Sequence, residues 1–425
     1  MQIRRKDIER FKIGFWNYVP VGTIDPEKAA DDWVELGMNL PLTFTYNPEL
    51  EKDYQDDQDG TKEVDASRVR SESGYCKQGI IDCLDAWHKR GHKAFVYDNR
   101  TNFRTLEKIG EEAFIKGVKE AVADFGWHPA TYGFHIGDEP SGAQWEYAVR
   151  AYQIVKEFAP KEQTHFINFY PIWGGPSFKE QLGCTQDEYA DKIADFMNRV
   201  DTKLVGYDYY GQCTYSDNIE PAMHEYFKNL NIFRKAADKT GGAFINSILS
   251  VGHWNYREPN DHDFRFQIAT SIAHGADGWY YFYVYQHAVR ESYRRPIIDM
   301  FGKRTPNFDL MAWHNKVAQM YYGEALTGYK FDKVWHFHKS YGGTPLFEGT
   351  PELESIEHIV NPSATAITRF VNDEGKVAYG ITNLNREKPI KIRPHFTGAL
   401  AKYNNYDLWF APGQIFIFTE EKRYT

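Results

Sequence analysis

Eight short apolar or aromatic runs recur along the chain, at residues 12–18, 40–46, 93–99, 132–136, 164–170, 203–210, 243–251 and 278–285. Each is followed by a stretch that reads as a helix: 25–37, 74–90, 106–125, 141–160, 187–200, 222–239, 263–274 and 309–326. The signals that punctuate them are specific. Asp25-Pro26 places a cap and a first-turn proline at one start, while Gly91 and Gly126 stand where helices must end. Strands that alternate with helices pair in parallel through right-handed crossovers. Eight such units within about 330 residues predict an α/β fold of the (β/α)8 barrel (TIM barrel) type. An open doubly wound sheet competes, but no Gly-x-Gly-x-x-Gly follows any run.

Beyond Gly328 the pattern becomes that of short strands divided by turns, at 334–339, 365–371, 377–383, 390–394 and 414–418. A small antiparallel β domain is expected there, most simply a sandwich. The division is therefore a barrel over 1–328 and a β domain over 329–425. An acidic stretch at 51–65 reads as a loop.

Net charge of −9 argues against a uniformly basic nucleic-acid binder. No apolar run of about 18 residues is present to span a membrane as a helix, and residues 1–11 show no apolar leader. Cys76, Cys83, Cys184 and Cys213 lack metal-ligand spacing and read as buried thiols. The outlying figure is an aromatic content of 16%, with 29 Tyr, 29 Phe and 11 Trp. Tyr and Trp join a flat apolar face to a polar tip, which suits a cleft for an amphiphilic ring such as a sugar.

Barrels of this kind carry their chemistry at the C-terminal ends of the strands. Those ends read Trp16-Asn17-Tyr18, Tyr46-Asn47, Tyr97-Asp98-Asn99-Arg100, Asp138-Glu139, Tyr170 with Trp173 beyond, Asp208-Tyr209-Tyr210, His253-Trp254-Asn255, and Tyr283 and Tyr285 with Gln286-His287. His135 lies within the fourth run. Taken alone, Asp138-Glu139-Pro140 reads equally as a solvated turn that caps the next helix, and Asp208 as a structural aspartate. Taken together, aromatic rings, amides and carboxylates meet at one mouth. The residues expected to bind substrate are Trp16, Tyr46, Tyr97, Asp98, Arg100, His135, Tyr170, Trp173, Tyr210, His253, Trp254, Glu258, Tyr283 and Tyr285. No Gly-rich loop meets a helix N-terminus, so a phosphate site is not indicated.

Gly137-Asp138-Glu139-Pro140, the stretch 263–282 and the terminal Leu408-Trp-Phe-Ala-Pro-Gly-Gln-Ile-Phe-Ile-Phe together resemble the clan A glycoside hydrolases, in particular their β-galactosidase-like and cellulase-like members. The resemblance implies a carbohydrate substrate, a (β/α)8 barrel with an appended β domain, and Glu139 as the acid/base glutamate that ends strand four. A secreted or periplasmic place of work goes with it. One departure stands out: the clan's nucleophilic glutamate ends strand seven, where this chain reads Ile245-Asn-Ser-Ile-Leu-Ser-Val-Gly-His-Trp.

Glycosidic cleavage needs a proton donor and, in most families, a second carboxylate. Three candidates remain for the second role. Asp208 comes first because strand ends place groups better than loops do. Glu258 lies in the loop beyond strand seven. Asp138 would instead orient a substrate acetamido group, as in the β-hexosaminidases that use substrate assistance. A basic loop at 287–296, with Arg100, Arg104, His253 and Arg257, suggests a sulfated or uronate-bearing glycan, or else surface pairing with Asp261, Asp263 and Glu291. Two further classes stay open: a catalytically silent carbohydrate-binding barrel, and a metal-dependent enzyme joining His135, His253 and His287. No cofactor or metal is called for by any motif, and neither nucleic acid nor membrane is an expected partner.

Overall fold

The computed structural model describes residues 10–48, 77–286 and 292–420. Cys76, the stretch 51–65, His287 and Glu291 lie outside the described residues. Eight strands form the first sheet: β1 (Lys12–Phe15), β2 (Leu42–Tyr46), β3 (Ala94–Asp98), β4 (Thr131–Asp138), β5 (Phe166–Phe169), β6 (Leu204–Asp208), β7 (Ala243–Leu249) and β8 (Gly278–Phe282). They run parallel in the order β1-β8-β7-β6-β5-β4-β3-β2. Backbone bonds draw the β1–β2 seam together, with Leu40 N donating to Ile13 O at 2.9 Å and Thr45 N to Val19 O at 2.9 Å. The expected barrel is thus observed.

Its outer layer is α1 (Pro26–Glu35), α2 (Lys77–His88), α3 (Phe103–Ile109), α4 (Glu111–Ala121), α5 (Trp145–Phe158), α6 (Ser177–Leu182), α7 (Gln186–Val200), α8 (Glu220–Thr240), α9 (Asp261–Ala273) and α10 (Pro306–Val317). The caps explain several boundaries. Asp25 accepts from Lys28 N at 2.9 Å ahead of Pro26, and Thr185 and Glu188 form a capping box on α7. The single helix expected over 106–125 is instead two. Gly110 adopts φ +81° between α3 and α4 and turns the chain.

The barrel interior is filled by rings rather than branched aliphatics. Trp16, Phe95, Tyr97, Phe166 and Tyr280 pack there with Leu42, Leu204 and Ile245. That filling demands a small partner opposite, since a Cβ on Gly206 would sit 2.6 Å from Phe166 Cζ.

After Gly328, β9 (Tyr329–Phe337), β10 (Leu353–Val360), β11 (Thr365–Asn372), β12 (Val377–Asn383), β13 (Ile390–Phe396), β14 (Leu408–Phe410) and β15 (Ile415–Thr419) form two antiparallel sheets, β15-β12-β11-β9 and β10-β13-β14. Ile367, Tyr379 and Ile381 meet Leu353, Ile390, Ile392 and Phe396 between them. The sandwich leans on α8 and α9. Thr368 Oγ1 donates to Ala273 O at 2.8 Å, Asn231 Nδ2 to Thr344 Oγ1 at 2.8 Å, and Phe227 stacks on Tyr341 at 5.6 Å.

Candidate active site

Strand geometry decides which polar residues reach the barrel mouth. Side chains alternate across a strand, so β3 sends Tyr97 inward, where its ring lies 4.7 Å from that of His135. Asp98, the next residue, points outward. On β6 the inward residue is Asp208, while Tyr207 stacks outside on Phe233 at 4.1 Å. β4 runs past Ile136, where the sequence suggested it would stop, because its register against β5 shifts between His135 and Gly137. Gly137 takes φ +141° against the Phe103 ring. The shift turns Asp138 and Glu139 toward the mouth. Glu139 itself is left-handed at φ +49°, a conformation that costs a non-glycine residue energy and is concentrated at functional sites.

Three half-buried carboxyl groups meet there. Asn168 Nδ2, from β5, donates to Asp138 Oδ1 at 3.0 Å and to Asp208 Oδ1 at 2.7 Å. Glu139 N donates to Asn168 O at 3.0 Å, and the Glu139 and Asp208 carboxyls are hydrogen-bonded to each other. Tyr210 lies beside Asp208 and pulls its carboxyl down.

The electrostatics follow from crowding like charges out of water. Burial, then the Asp208 and Asp138 carboxylates, hold the Glu139 carboxyl well above its ordinary value, against the pull of Arg104. Burial and Asp138 push Asp208 up, with the hydrogen bonds from Asn168, Glu139 and Tyr210 opposing. Asp138 is raised by burial and lowered by Asn168 and Arg104. Glu139 is therefore the protonated partner, donating to an Asp208 carboxylate. His135, buried beneath with neither ring nitrogen hydrogen-bonded to a side chain, is pushed down to about 3 by burial and by Arg104 and stays neutral.

An aromatic wall encloses this trio. Trp16, Tyr18, Tyr283 and Tyr293 stack in sequence, at 6.2, 5.6 and 5.1 Å between centroids. Trp16 Nε1 donates to Ser247 Oγ on β7 at 3.0 Å, which anchors the base of the column. Tyr170 and Tyr256, on the loops after β5 and β7, are raised by burial and by the neighbouring carboxyl groups of the trio. Trp173 packs 5.8 Å from Tyr170. His253 is buried against Phe282 at 4.8 Å, and Trp254 beside it is exposed.

Several expected site residues lie elsewhere. Arg100 is held by Asp98 at 2.7 Å and Asp124 at 2.9 Å, with its guanidinium over the Tyr46 ring. Tyr46, Asp98 and Arg100 thus form a structural cluster behind β3. Tyr285 accepts from Trp33 Nε1 at 2.9 Å, outside the barrel wall against α1. Glu258 accepts from Arg294 Nε at 3.1 Å and Tyr215 Oη at 2.8 Å, and is lowered overall. Its carboxylate is spent on the loop. Arg257 is committed to both oxygens of Asp263 at 2.5 Å, so Arg100, Arg257 and Arg294, three of the basic residues suggested for an anionic glycan, are paired with carboxylates. Arg104, exposed on α3, is the cation whose field reaches Asp138 and Glu139. Among the described residues no three His, Cys, Asp or Glu side chains converge as a metal site.

Asn168 and Tyr256 had no place in the sequence reading. The signal for Asn168 was an amide inside the otherwise apolar Phe166-Ile167-Asn168-Phe169, a position that must find partners when buried.

No family model matches the chain, and no curated protein matches it in sequence. The fold is found among solved structures. A glycoside hydrolase family 5 protein from Bacteroides vulgatus matches 97% of this chain and 86% of its own, at TM-score 0.54 and 12% identity. A β-galactosidase from the psychrophilic Marinomonas ef1 matches 74% of this chain at TM-score 0.51 and 9% identity, and this chain spans 60% of its length. An endo-1,4-β-mannanase from Rhizomucor miehei matches 73% of this chain and 95% of its own at TM-score 0.50 and 8% identity. At such identities the likeness is one of fold.

Proposed function

We propose that this chain is a glycoside hydrolase in which Glu139 protonates the leaving glycosidic oxygen and Asp208 is the second carboxylate. The observation that carries the reading is the Glu139–Asp208 contact at the mouth of an aromatic-walled barrel, with the glutamic carboxyl raised by burial and by its neighbours. A general acid must keep its proton near working pH, and burial beside like charges achieves this. The three structural neighbours named above are a family 5 glycoside hydrolase, a β-galactosidase and a mannanase. Their common class is extended here on the strength of the carboxyl geometry.

Retaining pairs stand about 5–5.5 Å apart and inverting pairs about 6.5–9.5 Å. Direct contact puts Glu139 and Asp208 at the short end of this scale, and in this reading substrate entering the mouth parts the two groups. Glu139 then turns its proton to the glycosidic oxygen, and Asp208 is freed as an anion that faces the anomeric carbon or its attacking water. Asp138, fixed by Asn168 beside the acid, favours a second reading in which it orients a C2 acetamido group that attacks in place of Asp208.

Glu139→Gln keeps the shape and removes the transferable proton. Turnover of aryl glycosides and of β-1,4-linked oligosaccharides is expected to fall by roughly 10²–10⁴ with folding intact. Full activity in that variant overturns the assignment. Retained turnover of a 2-acetamido glycoside by Asp208→Asn, with loss on plain glycosides, selects the second reading.

A further inference from the structure

Outside the carboxylate trio, the rim over β6, β7 and β8 presents two large aromatic side chains to solvent, Trp254 at 65% exposure and Tyr215 at 61%. Tyr215 is fixed where it stands. Tyr215 N donates to Asn255 O at 3.0 Å, and Thr214 bridges to Tyr256, so the loops after β6 and β7 are joined as one ribbon. Tyr215 Oη donates to Glu258 at 2.8 Å, and the Arg294 guanidinium lies 6.0 Å over its ring. Arg294 closes the brace, donating to Glu258 Oε1 at 3.1 Å and to Tyr256 O at 2.6 Å. Trp254 sits at φ +45°, a strained backbone for a bulky side chain. A strained residue that keeps its indole in water, on a loop braced by an ion pair, is a feature whose use is external.

The ribbon also reaches the reacting groups. Tyr256 packs edge-on to Tyr210 at 5.8 Å, and Tyr210 lies beside Asp208, whose carboxyl it pulls down. A ligand that fills the mouth at Glu139 and continues along this rim passes from Tyr256 onto the joined loops that carry the two exposed rings. We propose that Tyr215 and Trp254 form an outer sugar-binding subsite, stacking pyranose units of one oligosaccharide whose scissile bond lies at Glu139; this rests on the glycosidase reading above. The flat C–H face of a pyranose matches an aromatic ring, and its hydroxyls match the polar groups of the brace. The substrate class that follows is a glycan longer than a disaccharide.

The test uses Glu139→Gln protein, which is expected to bind without turning over, titrated calorimetrically with two-unit and six-unit β-1,4-linked gluco- and manno-oligosaccharides. The six-unit ligand is expected to bind about tenfold or more tightly than the two-unit one. Trp254→Ala and Tyr215→Ala should each shrink that ratio severalfold, whereas Tyr215→Phe, which keeps the ring, should preserve it. Equal affinity for both lengths, or a ratio untouched by either alanine, overturns the subsite. Turnover of aryl glycosides by the unsubstituted protein separates the two possible failures. If it occurs without length dependence, only the outer subsite falls; if neither turnover nor binding occurs, the glycosidase reading falls with it.

Discussion

At the residue scale, the site depends on which carboxyl holds the proton. Asp208 raises Glu139 in two ways, as a nearby negative charge and as the acceptor of its hydrogen bond. Activity that requires protonated Glu139 declines as pH rises through its pKa. Replacing Asp208 by Asn removes the charge, so Glu139 gives up its proton earlier and the alkaline limb moves to lower pH. A displacement of about one pH unit or more is expected, on top of a loss in kcat. The check is kcat/KM of the remaining activity against pH. An alkaline limb that stays in place while kcat drops makes Asp208 a structural aspartate. Arg104 acts in the opposite sense, since its charge lowers both Asp138 and Glu139, but burial outweighs it and both stay raised.

At the element scale, β4 and its exit matter more than any other segment, and Gly137 is the hinge of that exit. A Cβ there would lie 2.4 Å from Phe103 Cδ1, at a φ that side chains avoid. Strain and overpacking each cost about 1–3 kcal/mol, so Gly137→Ala is expected to destabilise the fold by about 3 kcal/mol in denaturant titration and to misplace Glu139. Gly91→Ala is the control. Its φ is also positive, at +81°, but nothing lies within 4 Å, and about 1 kcal/mol is expected. Equal losses in the two variants would falsify the close-approach role of Gly137.

The alternation of runs, the aromatic excess and Glu139 ending the fourth strand were legible because each depends on local pattern. Strand alternation separates Asp98 from Tyr97, its inward neighbour on β3, whereas Tyr285 lies beyond the end of β8, where the period of the strand no longer tells which way a side chain turns. Ion pairing was illegible for another reason. Arg100 meets Asp124 across a helix, and Glu258 meets Arg294 across two loops; spacing in one sequence carries no trace of either. β10 is a charged edge run, Leu-Glu-Ser-Ile-Glu-His-Ile-Val, and β14 is three residues long, so neither announces itself.

At the scale of the whole molecule, two sets of buried groups set opposite limits on stability. His135, His165 and His274 are held down to about 3, and His336 well below its ordinary value, in each case chiefly by burial. His274 and His336 sit 5.6 Å apart where the sandwich meets α8 and α9. The unfolded chain protonates these rings below about pH 6.5 and the native state does not, so stability falls as pH falls from there. Each ring contributes about 1.4 kcal/mol per pH unit. The carboxyl trio works the other way. Its pKa values are raised, so above about pH 4 the native state holds protons that the unfolded chain has released, and stability falls as pH rises until Glu139 has ionised. The two slopes oppose each other between about pH 4 and 6.5, which puts the maximum near neutrality, and only the carboxyl slope continues above it. Glu139→Gln removes the largest part of that alkaline slope. Its melting temperature, followed by calorimetry, should therefore exceed that of the unsubstituted protein at pH 8 and converge with it near pH 4, with the acid decline kept or steepened. Such a gain in stability at the expense of turnover is what a site assembled against electrostatic preference should show. Parallel melting curves for the two proteins from pH 4 to 8 would mean that Glu139 ionises freely in the fold and holds no proton to give.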